Sequence, residues 1–200
     1  MCGITRLEDA ESAIAAGADA LGFVFYPPSP RYIEPERAAE IIAKLPAFIT
    51  SVGLFVNETS TTINEIIQLT ELDLLQFHGD EKPEFCQQFS RPFIKAIRMK
   101  NEVNLHETIN NFSASKGILL DSYIKGTPGG TGETFNWERI PNDLSKPVIL
   151  AGGLNPENII TAINQVKPYA VDVSGGIEEQ PGVKSAKKIK DFMNQVKSIN

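Results

Sequence analysis

A chain of 200 residues, 42% of them hydrophobic, can bury a sizeable core as one domain spanning residues 1–200, without needing a second. Nineteen Lys and Arg against 25 Asp and Glu leave a net charge of −6, which excludes a general affinity for nucleic acid or an anionic membrane, so an anionic ligand has to be held by local devices. Cys2 and Cys86 are the only cysteines, and no apolar run approaches a signal peptide or a membrane span, so the expected compartment is a reducing cytoplasm. Asn-x-Ser/Thr triplets at Asn57 and Asn111 have meaning only on a secreted chain and are set aside.

In chain order, Thr5 and Glu8 have the spacing of a capping box ahead of Leu7, Ala10, Ala13 and Ile14, so the chain opens on a helix. The run ADALGFVF then reads as a strand, and Pro35 opens a helix with Ala38, Ile41, Ile42 and Leu45 on one face. FITSVGLF, LDLLQF, PFIKAI, GILL, PVILA and YAVDV follow as further short apolar runs, separated by helical segments near 61–70, 82–89, 103–111 and 137–143. Asn155-Pro156 caps a helix carrying Ile159, Ile160 and Ile163, and Ser185 precedes Ile189, Phe192, Met193 and Val196 at the same period. Seven strands and eight helices, starting on a helix, fall one strand short of an eightfold (β/α) barrel. The missing strand belongs directly before Cys2, so the expected fold is an α/β (β/α)8 TIM barrel with strand 1 truncated.

In such a barrel the chemistry gathers at the C-terminal ends of the strands. Cys2, Arg31, Asn57, His78, Arg98 and Asp121 all fall at those ends or in the loops that follow, and Gly152-Gly153 and Ser174-Gly175-Gly176 follow the last two strands. Glycine lets a backbone approach a phosphate closely, and helix-start N–H groups supply positive potential without a basic side chain. Either glycine pair alone reads as a turn; two on adjacent strands favour phosphate binding. GTPGGTGETF at 126–135 is not a Walker loop, because Glu133 stands where Lys is needed, and reads as a long βα loop able to close over a ligand or as a passive linker.

PPSPR at 27–31 has a PxxP spacing that could serve a partner domain, but between strand and helix it reads better as a stiff loop holding Arg31 for bidentate contact with a carboxylate. His78 is balanced between an acid or base and a hydrogen-bonded rim residue. Cys86, between Phe85 and Phe89, reads as a packed helix residue. Lys184, Lys187, Lys188, Lys190 and Lys197 read as the solvated face of the last helix.

Together CGITRLEDA, FYPPSPRYI, VGLFVN, LQFHGDE, KAIRM, LLDSYIKGTPGGTGETFNW, LAGGLNPEN and VDVSGGIEEQPGVK resemble the phosphoribosylanthranilate isomerase family of tryptophan biosynthesis, in order and over nearly the whole chain. The resemblance implies an Amadori rearrangement of N-(5-phosphoribosyl)anthranilate with no cofactor and no metal. It makes Cys2 the general base and Asp121 the general acid. Arg31 would meet the anthranilate carboxylate, Asp172 the ribose, and Gly152, Gly153, Ser174, Gly175 and Gly176 the phosphate, with His78 a further substrate contact. The family usually reads Ser-Ser-Gly where this chain has Ser174-Gly175-Gly176, and it carries several residues before the cysteine where this chain has Met1 alone.

The chemistry asks for Asp121 to be protonated for ring opening and for Cys2 to be held as a thiolate by a cation or by helix dipoles. With strand 1 absent the expectation is that the native chain starts earlier; should Met1 be the true start, low stability, a distorted seam and a poorly held Cys2 follow. Two other readings stay open. One is a different sugar-phosphate enzyme on the same scaffold, such as an epimerase or an aldolase; a Schiff-base aldolase wants a lysine at a strand end, and the candidate, Lys95, lies inside a strand. The other is a non-catalytic or impaired sugar-phosphate binder. The expected partner is a phosphorylated small molecule, with no nucleic acid and no membrane, on a monomer by default and a dimer as the alternative.

Overall fold

The computed structural model describes residues 1–100, 102–122 and 134–199. All seven apolar runs form strands: β1 (Ala20–Val24), β2 (Thr50–Phe55), β3 (Leu74–Phe77), β4 (Phe93–Arg98), β5 (Ile118–Asp121), β6 (Val148–Leu150) and β7 (Ala170–Val171). They make one parallel sheet in the order β1 to β7. The helices are α1 (Leu7–Ala16), α2 (Pro35–Ile42), α3 (Ser60–Thr70), α4 (Pro83–Cys86), α5 (Leu105–Asn111), α6 (Ile159–Val166) and α7 (Ala186–Lys197).

Strands β1 to β5 are buried along nearly their whole length because both of their faces are covered, whereas β6 and β7 are largely half-buried. Alternate residues therefore have two distinct destinations. Phe23, Phe55, Leu75, Phe77, Phe93, Ile97, Ile118 and Leu120 pack in the layer shared with the helices, with Phe77 meeting Phe85, Phe89 and Phe93 ring to ring. Ile94, Ala96, Leu119 and Ala151 fill the inside of the curl, and above them Cys2, Val24 and Leu54 form a smaller cluster. A period of two thus assigns Gln76, His78, Leu119 and Asp121 to the interior.

The seam between β1 and β7 differs from the expectation drawn from the missing strand. Cys2 pairs with Gly22 as a single parallel bridge: the Gly22 N–H donates to Met1 O (2.8 Å) and the Gly3 N–H to Gly22 O (2.9 Å). On the other side the Cys2 N–H donates to Val173 O (2.9 Å). One register position therefore spans the seam, and Cys2 is buried there and well held. Below it lies an apolar groove of about 360 Å³ walled by Met1, Ala20, Val171, Val173, Phe192, Met193 and Val196 among others.

Four local readings are corrected. Thr5 caps nothing, since its hydroxyl donates to Gly182 O, and α1 starts after Arg6 without a side-chain cap. The segment 82–89 shortens to α4, and 137–143 holds only the 3₁₀ turn Trp137–Arg139. Asn155 Oδ1 accepts from the N–H groups of Glu157 and Asn158 in a turn, so α6 begins at Ile159. Before α7 the chain makes an unforeseen antiparallel hairpin, β8 (Glu178–Gln180) with β9 (Val183–Lys184). The glycine-rich stretch at 126–135 lies almost wholly outside the described residues.

Candidate active site

Cys2, Arg31, His78, Asp121, Gly152, Gly153, Asp172, Ser174, Gly175 and Gly176 all line one cavity at the C-terminal ends of the strands. Its enclosed volume is about 100 Å³, and about 790 Å³ when the open mouth is counted with it. Val24, Leu54, Leu119 and Ala151 make its floor, and Tyr26, Ser29, Gln76 and Leu154 complete the wall. Asn57 and Arg98, at equivalent strand ends, do not line it. Asn57 Oδ1 accepts from the Asp80 N–H (2.7 Å), and Arg98 Nη2 donates to His78 O (3.0 Å), so both brace the rim.

Asp121, the last residue of β5, is buried; its Oδ1 accepts from the Ser122 N–H (2.8 Å) and its Oδ2 lies in hydrogen-bond contact with His78 Nε2 (3.1 Å). His78 Nδ1 in turn meets Gln76 Nε2 at 3.1 Å. The backbone of Gly152, at φ 81°, passes directly over this corner, where an added Cβ would collide with the Ser122 nitrogen and lie 2.9 Å from Asp121 Oδ1. The glycine there is demanded by its positive φ and by the Ser122 backbone below it, with the Asp121 carboxyl group close behind, whatever else the loop binds.

Cys2 faces a different environment. Burial pushes its thiol up to about 12; Asp172 adds to that, while Lys184, the Met1 amino group and Arg31 oppose it. The ionised thiolate expected from the sequence is thus not the state of the free site.

Arg31 does not present a free fork. Its Nε and Nη2 donate to the two carboxylate oxygens of Glu178 at 2.8 and 2.7 Å, leaving the Nη1 side for a ligand. Lys184, read as a solvated helix lysine, is 3% exposed on β9; its Nζ donates to Glu178 Oε1 (2.8 Å) and Ser174 O (3.2 Å). Burial raises the Glu178 carboxyl, but the hydrogen bonds from Arg31 and the charge of Lys184 outweigh it and hold the group below its usual range. Burial likewise lowers Lys184, with Glu178 opposing. Two cations share one carboxylate, which removes much of the positive charge that would otherwise stabilise a Cys2 thiolate.

Lys95 is accounted for as a brace. It points into the helix-side layer, where Nζ donates to Glu81 Oε2 (3.0 Å) and to Phe77 O and Gly79 O. Glu81 Oε1 accepts from the Asn57 and Gly79 N–H groups, so the pair ties the loop after β2 to the loop that carries His78. A Schiff-base role is ruled out by this placement. Cys86 is fully buried, as its aromatic neighbours imply. Among the described residues no group of three or more His, Cys, Asp or Glu could hold a metal ion, and no helix is long and apolar enough to cross a membrane.

Gln76, Glu178 and Glu81 were not singled out from the sequence, and Lys184 was singled out only as a solvated helix lysine. Only Gln76 left a signal, since it stands two residues before His78 in a strand and so shares its face.

A family model described as N-(5'phosphoribosyl)anthranilate (PRA) isomerase matches residues 1–195. The N-(5'-phosphoribosyl)anthranilate isomerase of Pseudomonas putida strain GB-1 is 54% identical over 197 residues, covering 98% of this chain and 96% of its own. The crystal structure of phosphoribosyl anthranilate isomerase from Thermotoga maritima superposes with a TM-score of 0.91 at 42% identity, over 99% of this chain and 97% of that one. A crystal structure of a phosphoribosyl anthranilate isomerase in complex with reduced 1-(o-carboxyphenylamino)-1-deoxyribulose 5-phosphate aligns at TM-score 0.83 and 40% identity, covering 98% and 96%. The chain belongs to the N-(5'-phosphoribosyl)anthranilate isomerase family, a family of (β/α)8-barrel isomerases.

Proposed function

We propose that the cavity converts N-(5-phosphoribosyl)anthranilate to 1-(2-carboxyphenylamino)-1-deoxyribulose 5-phosphate in tryptophan biosynthesis, in the cytoplasm, on a single domain that works as a monomer. The observation that supports this most directly is the meeting of Cys2 and Asp121, from two ends of the sheet, in one cavity rimmed by Gly152-Gly153 and Ser174-Gly175-Gly176. The glycine backbones receive the phosphate, the Nη1 side of Arg31 the anthranilate carboxylate, and Asp172 a ribose hydroxyl.

Ring opening needs a proton on the furanose oxygen while the anilino nitrogen pushes out the C1′–O bond to leave an iminium cation. Asp121 supplies that proton, and the donors at its two oxygens then stabilise the carboxylate that remains. Cys2 next removes the proton from C2′, giving an enolamine that becomes the ketone. A thiol near 12 lies about five units above neutrality, or roughly 7 kcal/mol. The iminium beside C2′ is the cation that offsets this, so the thiolate forms after ring opening and not before. Once formed it is a strong base, because a high pKa and basicity are one property.

Loss of substrate fluorescence tests the assignment in wild type, Cys2→Ser and Asp121→Asn. Each substitution is expected to lower kcat by about 10²–10⁴. Turnover unaffected by both changes overturns the roles, and ligand binding without turnover in the wild type favours the binder reading instead.

A further inference from the structure

Gln76 lines the cavity without being in reach of any role assigned so far. It and His78 project from the same face of the chain at the end of β3, and its amide nitrogen lies 3.1 Å from His78 Nδ1. An amide N–H can only donate, so Nδ1 is the acceptor and carries no proton. The ring proton then sits on Nε2, 3.1 Å from Asp121 Oδ2, and is donated to that carboxyl group. The backbone of His78 is held independently: its N–H donates to Phe55 O (2.8 Å) and its carbonyl accepts from Arg98 Nη2 (3.0 Å). The ring's place is thus set by the barrel, and what Gln76 adds is the choice between two tautomers.

That choice matters to the reaction. With the proton on Nδ1, a bare Nε2 would accept the proton of Asp121 and compete with the substrate's ring oxygen for it. With the proton on Nε2, His78 donates to the carboxylate left behind when that proton has gone. We propose that Gln76 is a positioning residue that fixes His78 as the Nε2–H tautomer, so that the histidine acts on Asp121 as a donor at every stage. The inference rests on the reading of Asp121 as the acid, but the tautomer can be measured without it.

The experiment is ¹⁵N NMR of the imidazole nitrogens in uniformly labelled protein, with His106→Gln removing the other histidine, which lies outside the cavity. Wild type is expected to show Nε2 protonated and Nδ1 bare at neutral pH. Gln76→Glu replaces the donor by an acceptor and is expected to protonate Nδ1. Gln76→Met removes the donor without adding charge, should the glutamate variant fail to fold, and is expected to leave a mixture of tautomers. In a triad whose carboxylate sets the imidazole tautomer, the wrong tautomer costs about 10⁴ in kcat. Here the histidine stands one step further from the reacting atoms, so both variants should lose about 10- to 100-fold in kcat with KM changed by less than about twofold.

A wild-type ring protonated on Nδ1 overturns the inference and leaves the acid role of Asp121 standing. So does a ring unchanged in both variants, or a changed ring with unchanged kcat. Full turnover by Asp121→Asn removes the acid role while the NMR result still decides the tautomer.

Discussion

Cys2 lies in a three-residue segment that pairs with β1 at the single position Cys2–Gly22 and makes one backbone bond, to Val173 O, just past the end of β7, with an apolar groove directly beneath it. Asp121 ends a strand that pairs with β4 at four positions and with β6 at three, next to strands whose Phe77 and Phe93 pack ring to ring. The proposed acid and base thus stand on walls of unequal construction, and each wall compensates in its own way. On the Asp121 side, position comes from the ladder and from the bonds to Ser122 and His78. On the Cys2 side it comes from Arg31, Glu178 and Lys184, a charged cluster carried by the β8–β9 hairpin and the loop after β1. A single register position suffices to hold a side chain when its neighbours are buried and rigid.

The sharpest way to break the comparison is to remove matched apolar volume from the two sides. Ile118→Ala, in the fully buried helix-side layer, is expected to cost about 3–5 kcal/mol, whereas the same change at Ile163, beside the groove, should cost about 1 kcal/mol because its surroundings are already loosely filled. Urea unfolding of both variants measures the difference, and equal losses would mean that the groove is as well packed as the core.

Glu178→Gln is next, since it leaves Arg31 and Lys184 buried around a neutral amide. We expect a loss of about 3 kcal/mol at neutral pH. The sign in acid follows from the lowered carboxyl: its contribution is present above the unfolded value near 4 and disappears as pH falls through the depressed folded value. The gap in Tm between wild type and variant should therefore close in strong acid; a gap independent of pH would refute the ion-pair account.

A smaller effect is expected from Gly22→Ala. The added methyl would sit 2.9 Å from Cys2 Sγ and 3.1 Å from its Cα, so it pushes the seam apart where the base is carried. The expected loss is about 10- to 100-fold in kcat, with the ¹⁵N signature of His78 unmoved because that wall is untouched. Alkylation gives the mildest probe. In a Cys86→Ser background, reaction of Cys2 with iodoacetamide should rise steadily with pH without levelling off in the neutral range; a plateau near pH 7 would mean that the free thiol is already ionised.

The parallel sheet was legible because strands buried on both faces need continuous apolar runs, and seven such runs became seven strands. The positions of Cys2, Asp121 and the two glycine loops were legible for a related reason: chemistry at strand ends needs only element order to be located. Thr5 and Lys184 misled because a local pattern was taken at face value. A capping-box spacing does not say whether the hydroxyl has a better acceptor 177 residues away, as Thr5 has at Gly182 O. Nor does a lysine-rich tail say which of its members turns inward.

What the sequence by itself determined is therefore the order and type of the main elements, the ring of strand ends, and the residue types available there, since these depend on hydrophobic period and on turn chemistry along the chain. Tertiary structure alone decided that Arg31 spends its fork on Glu178, that Lys184 is buried, that the Cys2 thiol is pushed up to about 12 and that Gln76 dictates which nitrogen of His78 holds the proton. Those are properties of distance and desolvation between residues far apart in the chain, and they come into being only when the sheet curls and closes them into one space.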